Sequence, residues 1–247
     1  MGMITTVRGA IQAEELGFCQ SHEHICILRG YSAFGGPDLC MDDPVKNWRE
    51  LASYRQAGGA AVVDAQPLGC GRDAAMLKEL SEQSGVHIIA STGFHKMNYY
   101  PEGHWMYTAG ADTLTRLYLA ELNRGMYLDG NTAFPENQGD SRAGQIKTAL
   151  DKGGFTPHYE KLFAAAAAAA LSAGVPLMVH IERDSDPLAL ADFLYNQGLL
   201  LSGLIFCHLD RAVAGHNYAA IETKGYRKLV VEGSDGKPKM IDNPRWG

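Results

Sequence analysis

The run VPLMVHI, residues 175–181, is apolar without alternation until it meets a histidine. A strand reads this way when both of its faces are covered, as in a parallel sheet lined by helices. Its flanks support that reading. Upstream, TPHYEKLFAAAAAAALSAG (156–174) opens on Thr-Pro, is rich in the best helix former and closes on Gly. Downstream, DPLALADFLYNQG (186–198) opens on Asp-Pro and closes on Gly. A second apolar run, GLIFCHL (203–209), follows at once and again ends near a histidine, His208.

The same rhythm runs through most of the chain. Strands are expected at GFCQSHEH (17–24), GAAVVDAQ (59–66), VHIIAST (86–92), GQIKTAL (144–150) and YRKLVVEG (226–233). Helices are expected at DPVKNWRELASYRQAG (43–58), GRDAAMLKELSEQSG (71–85) and ADTLTRLYLAELNRG (111–125). Alternating β and α elements with parallel-sheet patterning predict the α/β class. No linker divides the chain, and DGNTAFPENQGDSRAG (129–144) reads as a loop. A single domain over residues 1–247 is expected.

Polar residues interrupt these strands at particular places. His180 and His208 sit near the carboxyl ends of their strands, and Lys147 lies inside GQIKTAL. In GFCQSHEHICI (17–27), His22 and His24 are two positions apart, so a strand projects both to one face while Glu23 points away. Two neutral imidazoles side by side suit a metal ion. Each observation has an ordinary alternative. The His-x-His could lie on an exposed strand, a strand-end histidine could be a satisfied core residue, and Lys147 could snorkel or pair with an acid. Four histidines and a lysine on four strands together point to a metal centre at the carboxyl-terminal face of a (β/α) barrel. His87 begins its strand and belongs to the opposite face; His158 and His216 fall on helices, and none of these three is given a role.

Composition narrows the rest. The chain has 247 residues, 46% hydrophobic and 20% charged, with a net charge of −6. No Lys/Arg cluster stands out, so no nucleic-acid partner is expected. The opening MGMITTVRGAIQAEELG carries no signal-peptide pattern, and no segment approaches the roughly 18 apolar residues of a membrane span. Five cysteines without C-x-x-C spacing read as reduced thiols in a cytoplasmic protein, with Cys19, Cys26 and Cys207 as small core residues. A small-molecule substrate is expected, and a homodimer is allowed.

From about residue 5 to 226 the chain resembles the phosphotriesterase-related family of the amidohydrolase superfamily. The matching pieces, in family order, are SHEHI, GCGRDAAMLKELSEQSGVHIIASTGFH, RAGQIKTAL, VPLMVHIE, LIFCHLDR and the terminal IDNPRW. The resemblance implies a (β/α)8 TIM barrel and a binuclear metal-dependent hydrolase. His22 and His24 match the first-strand metal ligands. Lys147 matches the lysine that is N6-carboxylated and bridges two divalent ions, and His180 and His208 match the ligands of the second ion. Zinc suits such a donor set, as do manganese and cobalt. The implied reaction is attack of a hydroxide, generated near neutral pH, on a lactone, a sugar lactone being favoured, or a related ester. A phosphoester hydrolase on the same centre and a catalytically impaired barrel serving as a binding or scaffold protein are the alternatives. Tyr99, Tyr100, His104 and Trp105 in STGFHKMNYYPEGHW are candidate pocket-wall residues, with a surface loop of aromatics as the alternative. His95 stands where relatives carry an aromatic or another residue. Arg72 and Arg211 are candidates to meet a substrate phosphate, although surface ion pairing is the commoner role.

The match breaks near the end. The family uses an aspartate after strand eight, yet only 39 residues follow His208, where two βα units need about 60, at about 30 each. The barrel is therefore expected to be truncated near strands seven and eight. Asp235 in VVEGSDG is a weak candidate for the missing aspartate, and no catalytic residue is assigned.

Overall fold

The helices begin where the sequence supplies caps. In the computed structural model, which describes residues 2–31, 36–182, 185–209, 228–232 and 238–242, α1 (Pro44–Gln56) starts on Asp43, whose carboxylate accepts from the Val45 and Lys46 amides. Asp73 caps α2 (Ala74–Ser84), Thr156 caps α5 (Pro157–Ala173) and Asp186 caps α6 (Pro187–Asn196) in the same way. Each satisfies amides that the first helical turn leaves unpaired. Two of these helices stop on left-handed glycines, Gly85 after α2 and Gly174 after α5. The short α3 (Trp105–Thr108) and α4 (Ala111–Asn123) complete the α-helices among the described residues.

Six parallel strand positions alternate with these helices. They are β3 (Phe18–Glu23), β4 (Gly59–Asp64), the pair β5 (His87–Ile89) and β6 (Ser91–Gly93), β7 (Gln145–Leu150), β8 (Leu177–Ile181) and β9 (Leu204–Cys207). Hydrogen bonding runs β3-β4-β5 in one sheet and β6-β7-β8-β9 in the next. The expected strand VHIIAST is thus a strand in two parts that changes partner at Ala90. Its first half pairs with β4 and its second with β7. Two bonds stitch the change: the Gly144 amide to the Ala90 carbonyl (2.9 Å) and the Ser91 hydroxyl to the Asp64 carbonyl (2.6 Å).

Strand β7 is buried along its whole length. α5 is buried on its alanines Ala165, Ala166, Ala167, Ala169 and Ala170 and packs on α4. Small side chains let two helix backbones approach, and the Thr115 hydroxyl donates directly to the Ala165 carbonyl (3.4 Å). Phe94, Tyr159 and Phe163 fill the space beneath.

An N-terminal antiparallel hairpin, β1 (Met3–Thr6) with β2 (Gly9–Gln12), precedes the barrel. Its strands are only four residues long, too short to carry a clear pattern. The run 226–233 contains a strand, β10 (Lys228–Glu232), but it pairs antiparallel with β11 (Pro238–Asp242) and is not a parallel barrel strand. Among the described residues the barrel does not close, in line with the expected truncation. β3 leaves Phe18 66% exposed, because among the described residues it pairs only with β4.

Gly93 ends β6 at φ 110°, and a Cβ there would be driven into the Lys147 carbonyl. Gly93→Ala is expected to cost about 2 kcal/mol or more, a fall of about 4–8 °C in Tm. Thermal denaturation checks this.

Candidate functional site

The strand ends that the sequence singled out face one pocket of about 540 Å3. His22 and His24 come from the end of β3, His180 from β8, and His208 directly follows β9. All four line the pocket, together with Gln66, Cys70, His95, Lys96, Tyr99 and Cys207. Ring centroids are 5.7 Å apart for His22 and His24, 5.1 Å for His22 and His208, and 4.7 Å for His180 and His208. Glu23 turns to the other side of β3, where it accepts from the Gln20 amide (2.9 Å) and lines a separate groove. The pleat therefore sorts His22-Glu23-His24 as its period requires.

His208 has φ 67°, a left-handed conformation, and is the only non-glycine with positive φ among the described residues. That conformation costs about 1–2 kcal/mol. It turns the ring of the residue after β9 toward His22 and His180.

Lys147 is 0% exposed, with its ammonium donating to the Thr148 carbonyl (3.1 Å). Burial lowers its pKa to about 8. Its charge in turn helps depress His24, His95 and His180, so the amine lies close to the imidazoles. Burial is the largest cause in each case, taking His24 down to about 4 and His180 to about 3. Both rings are neutral at pH 7 and have a lone pair to offer.

Partners orient these rings. His24 Nδ1 lies 2.8 Å from Gln66 Oε1, while Gln66 Nε2 donates to the Cys70 carbonyl. A carbonyl only accepts, so the amide nitrogen of Gln66 must face Cys70 and its oxygen must face His24. His24 therefore carries its proton on Nδ1, leaving the Nε2 lone pair for the pocket. His180 Nε2 is buried without a hydrogen bond, though Glu182 Oε2 stands 3.5 Å away. That separation is ion-pair range, too long for a hydrogen bond. Glu182 is held by Lys96 at 2.6 Å.

Among the described residues no three His, Cys, Asp or Glu side chains form a ready-made metal site. The four histidines instead form a chain of neighbouring rings, His24–His22–His208–His180, with centroids 5.7, 5.1 and 4.7 Å apart. The orphaned, buried His180 Nε2 and the neutral His24 and His180 rings fit divalent ions.

Other candidate residues fall elsewhere. Tyr99 lines the pocket, but Tyr100, His104 and Trp105 are 1%, 2% and 8% exposed and do not. His104 caps α3, and the Trp105 indole donates to the Gly130 carbonyl (2.8 Å). The loop buries its aromatics because each polar tip finds a backbone partner. Arg72 is 4% exposed and does not line the pocket. It forks onto the Glu121 carboxylate at 2.9 and 2.5 Å and donates to the Ser91 and Tyr127 carbonyls. Arg211, His216 and Asp235 lie outside the described residues. Gln66, Lys96 and Glu182 were not anticipated. Gln66 had one available signal, a polar residue two positions past an apolar strand.

A barrel wall of parallel strands, with imidazoles at the strand ends and an amine buried within one strand, is the architecture of a (β/α)-barrel enzyme. The chain belongs to the phosphotriesterase family, whose profile matches residues 2–227. A phospho-furanose lactonase of Mycoplasmopsis agalactiae is 25% identical over 235 residues, covering 94% of this chain and 67% of the relative. An N-acetyltaurine hydrolase of Danio rerio is 27% identical, covering 87% and 67%. Among solved structures, a lactonase from Listeria monocytogenes superposes with a TM-score of 0.74 at 25% identity, covering 90% of this chain and 69% of that one. The chain thus spans about two thirds of the length of these relatives.

Two stability predictions follow from the groups around the pocket. The Arg72–Glu121 pair is sealed from water, so Glu121→Gln strands a buried guanidinium and should cost about 3 kcal/mol by chemical denaturation. Burial also raises Asp64 from 3.8 to about 7; its Oδ1 accepts from the Ile25 amide and its Oδ2 has no partner. The folded state then holds a proton that the unfolded chain releases. The associated stability is complete below about pH 4 and disappears as pH rises to about 7, at about 1.4 kcal/mol per unit. The difference between wild type and Asp64→Asn should follow that slope between pH 4 and 7 and level off above.

Proposed function

We propose that this chain is a metal-dependent hydrolase acting on a lactone of a small, polar, sugar-like acid. His22, His24, Lys147, His180 and His208 would hold two divalent ions. The observation that carries the reading is the meeting of four histidines from three separate strands on one pocket, beside a buried amine.

The chemistry of the donors supports it. His24 and His180 are neutral, and Gln66 holds the His24 ring with one lone pair toward the pocket. Lys147 as an ammonium would repel dications. With a pKa near 8, an appreciable fraction is free amine near neutrality, and a free amine adds carbon dioxide to give an anionic carbamate. When bound, the ions supply Lewis acidity toward a carbonyl oxygen and bring the pKa of water near 7. The pocket volume suits a substrate of sugar size. Lys96, paired with Glu182 and 5.0 Å above the Tyr99 ring, provides a polar wall. Zinc is the favoured ion, with manganese or cobalt as substitutes. The likeness to N-acetyltaurine hydrolases favours a second reading, hydrolysis of a small N-acyl amide at the same centre.

Chelation should abolish turnover of a lactone panel, and zinc, manganese or cobalt with bicarbonate should restore it. His180→Ala should lose more than the ~100-fold typical of an outer partner. Protein carrying two ions per chain yet silent on lactones, esters and N-acyl amides would refute the proposal.

A further inference from the structure

We propose that His95 is a catalytic hydrogen-bond donor, presenting Nε2–H to the substrate oxygen that gains charge during hydrolysis, and that it is not a fifth histidine ligand. This rests on the hydrolase reading above. His95 lines the same pocket as the four strand-end histidines, 5% exposed, with ring centroids 5.6 Å from His180 and 6.4 Å from His24.

The argument is one of hydrogen-bond polarity. The Lys96 amide donates to His95 Nδ1 at 2.8 Å. A backbone amide has no lone pair to give, so Nδ1 accepts and the single proton of the neutral ring sits on Nε2. Nδ1 is folded back on its own backbone, so Nε2 is the nitrogen left for the pocket. His24, its neighbour, has the opposite arrangement, with Nδ1–H on Gln66 and a lone pair inward. Two imidazoles on one pocket are thus fixed with opposite polarity, one as ligand and one as donor.

The ring is also held still. The His95 amide donates to the Tyr100 hydroxyl (2.9 Å), which donates to the Leu68 carbonyl (3.3 Å). The Tyr99 ring packs against the His95 ring, tilted by 46°, with centroids 4.7 Å apart. A donor that is already oriented needs no reorganisation when charge develops. As hydroxide forms the new C–O bond, the carbonyl π pair moves onto oxygen, and the Nε2–H of His95 stabilises that oxyanion. The pair then returns, the ring C–O bond breaks, and the expelled alkoxide gains the proton that the newly added hydroxyl loses, leaving a carboxylate and an alcohol while His95 keeps its proton throughout.

The test uses the metal-reconstituted chain. His95→Phe should lower kcat/KM by about 10²–10³-fold, mainly in kcat, as loss of one oxyanion donor does. Metal content should stay at the wild-type value. His95→Gln, which retains an N–H donor, should recover part of the loss. Independently, long-range 1H–15N spectra of metal-free wild type at about pH 8, above the imidazole range, should give His95 as the Nε2–H tautomer. An Nδ1–H tautomer, loss of metal in His95→Phe, or turnover of that variant within about threefold of wild type would each overturn the assignment. A wild type without turnover would sink the hydrolase reading instead, and the tautomer spectrum would then decide His95 alone. Should His95→Phe fail to fold, His95→Gln and the spectrum still decide.

Discussion

A lysine amine sealed inside a parallel strand sets the terms for everything around it. Lys147 has no exposed surface, and a buried ammonium is costly without a compensating anion. Its charge is one of the terms that keep His24, His95 and His180 neutral. Neutral imidazoles are the form that can coordinate or donate at ordinary pH. The same cationic repulsion that would be a defect in an inert core thus prepares a set of bases.

Much of the fold could be read from the chain because its signals are strong and local. Apolar runs marked β4, β8 and β9, and Asp-Pro or Thr-Pro openings marked α1, α5 and α6. A histidine at the end of such a run is conspicuous, as for His180 and His208, and the two-residue spacing of His22 and His24 sets them on one face of a strand. What failed needed tertiary information. The run around Val230 is a strand, but its direction depends on the partner it finds, and β11 is antiparallel. Tyr100, His104 and Trp105 look like pocket aromatics in a Pro/Gly-rich loop, yet backbone acceptors such as the Gly130 carbonyl draw them inward. Arg72 looked like a phosphate reader because the sequence cannot reveal that Glu121, on another helix, already occupies its fork.

The residues that orient the pocket were the least legible. Gln66, Lys96 and Glu182 matter through single hydrogen bonds or ion pairs to residues far away in sequence. Which nitrogen of an imidazole bears the proton is decided by such partners and has no signature in residue type. Local grammar gives the inventory of a site; non-local polar contacts give its polarity.

The exchange of partners at Ala90 divides the pocket along a line. His22, His24 and Gln66 stand on the half-wall β3-β4-β5, whereas His95, Lys147, His180 and His208 belong to the half-wall that starts at β6. Few bonds hold the two halves together at that point. A ligand gripping both would act as a rivet across them, adding its binding free energy to the cohesion of the folded chain.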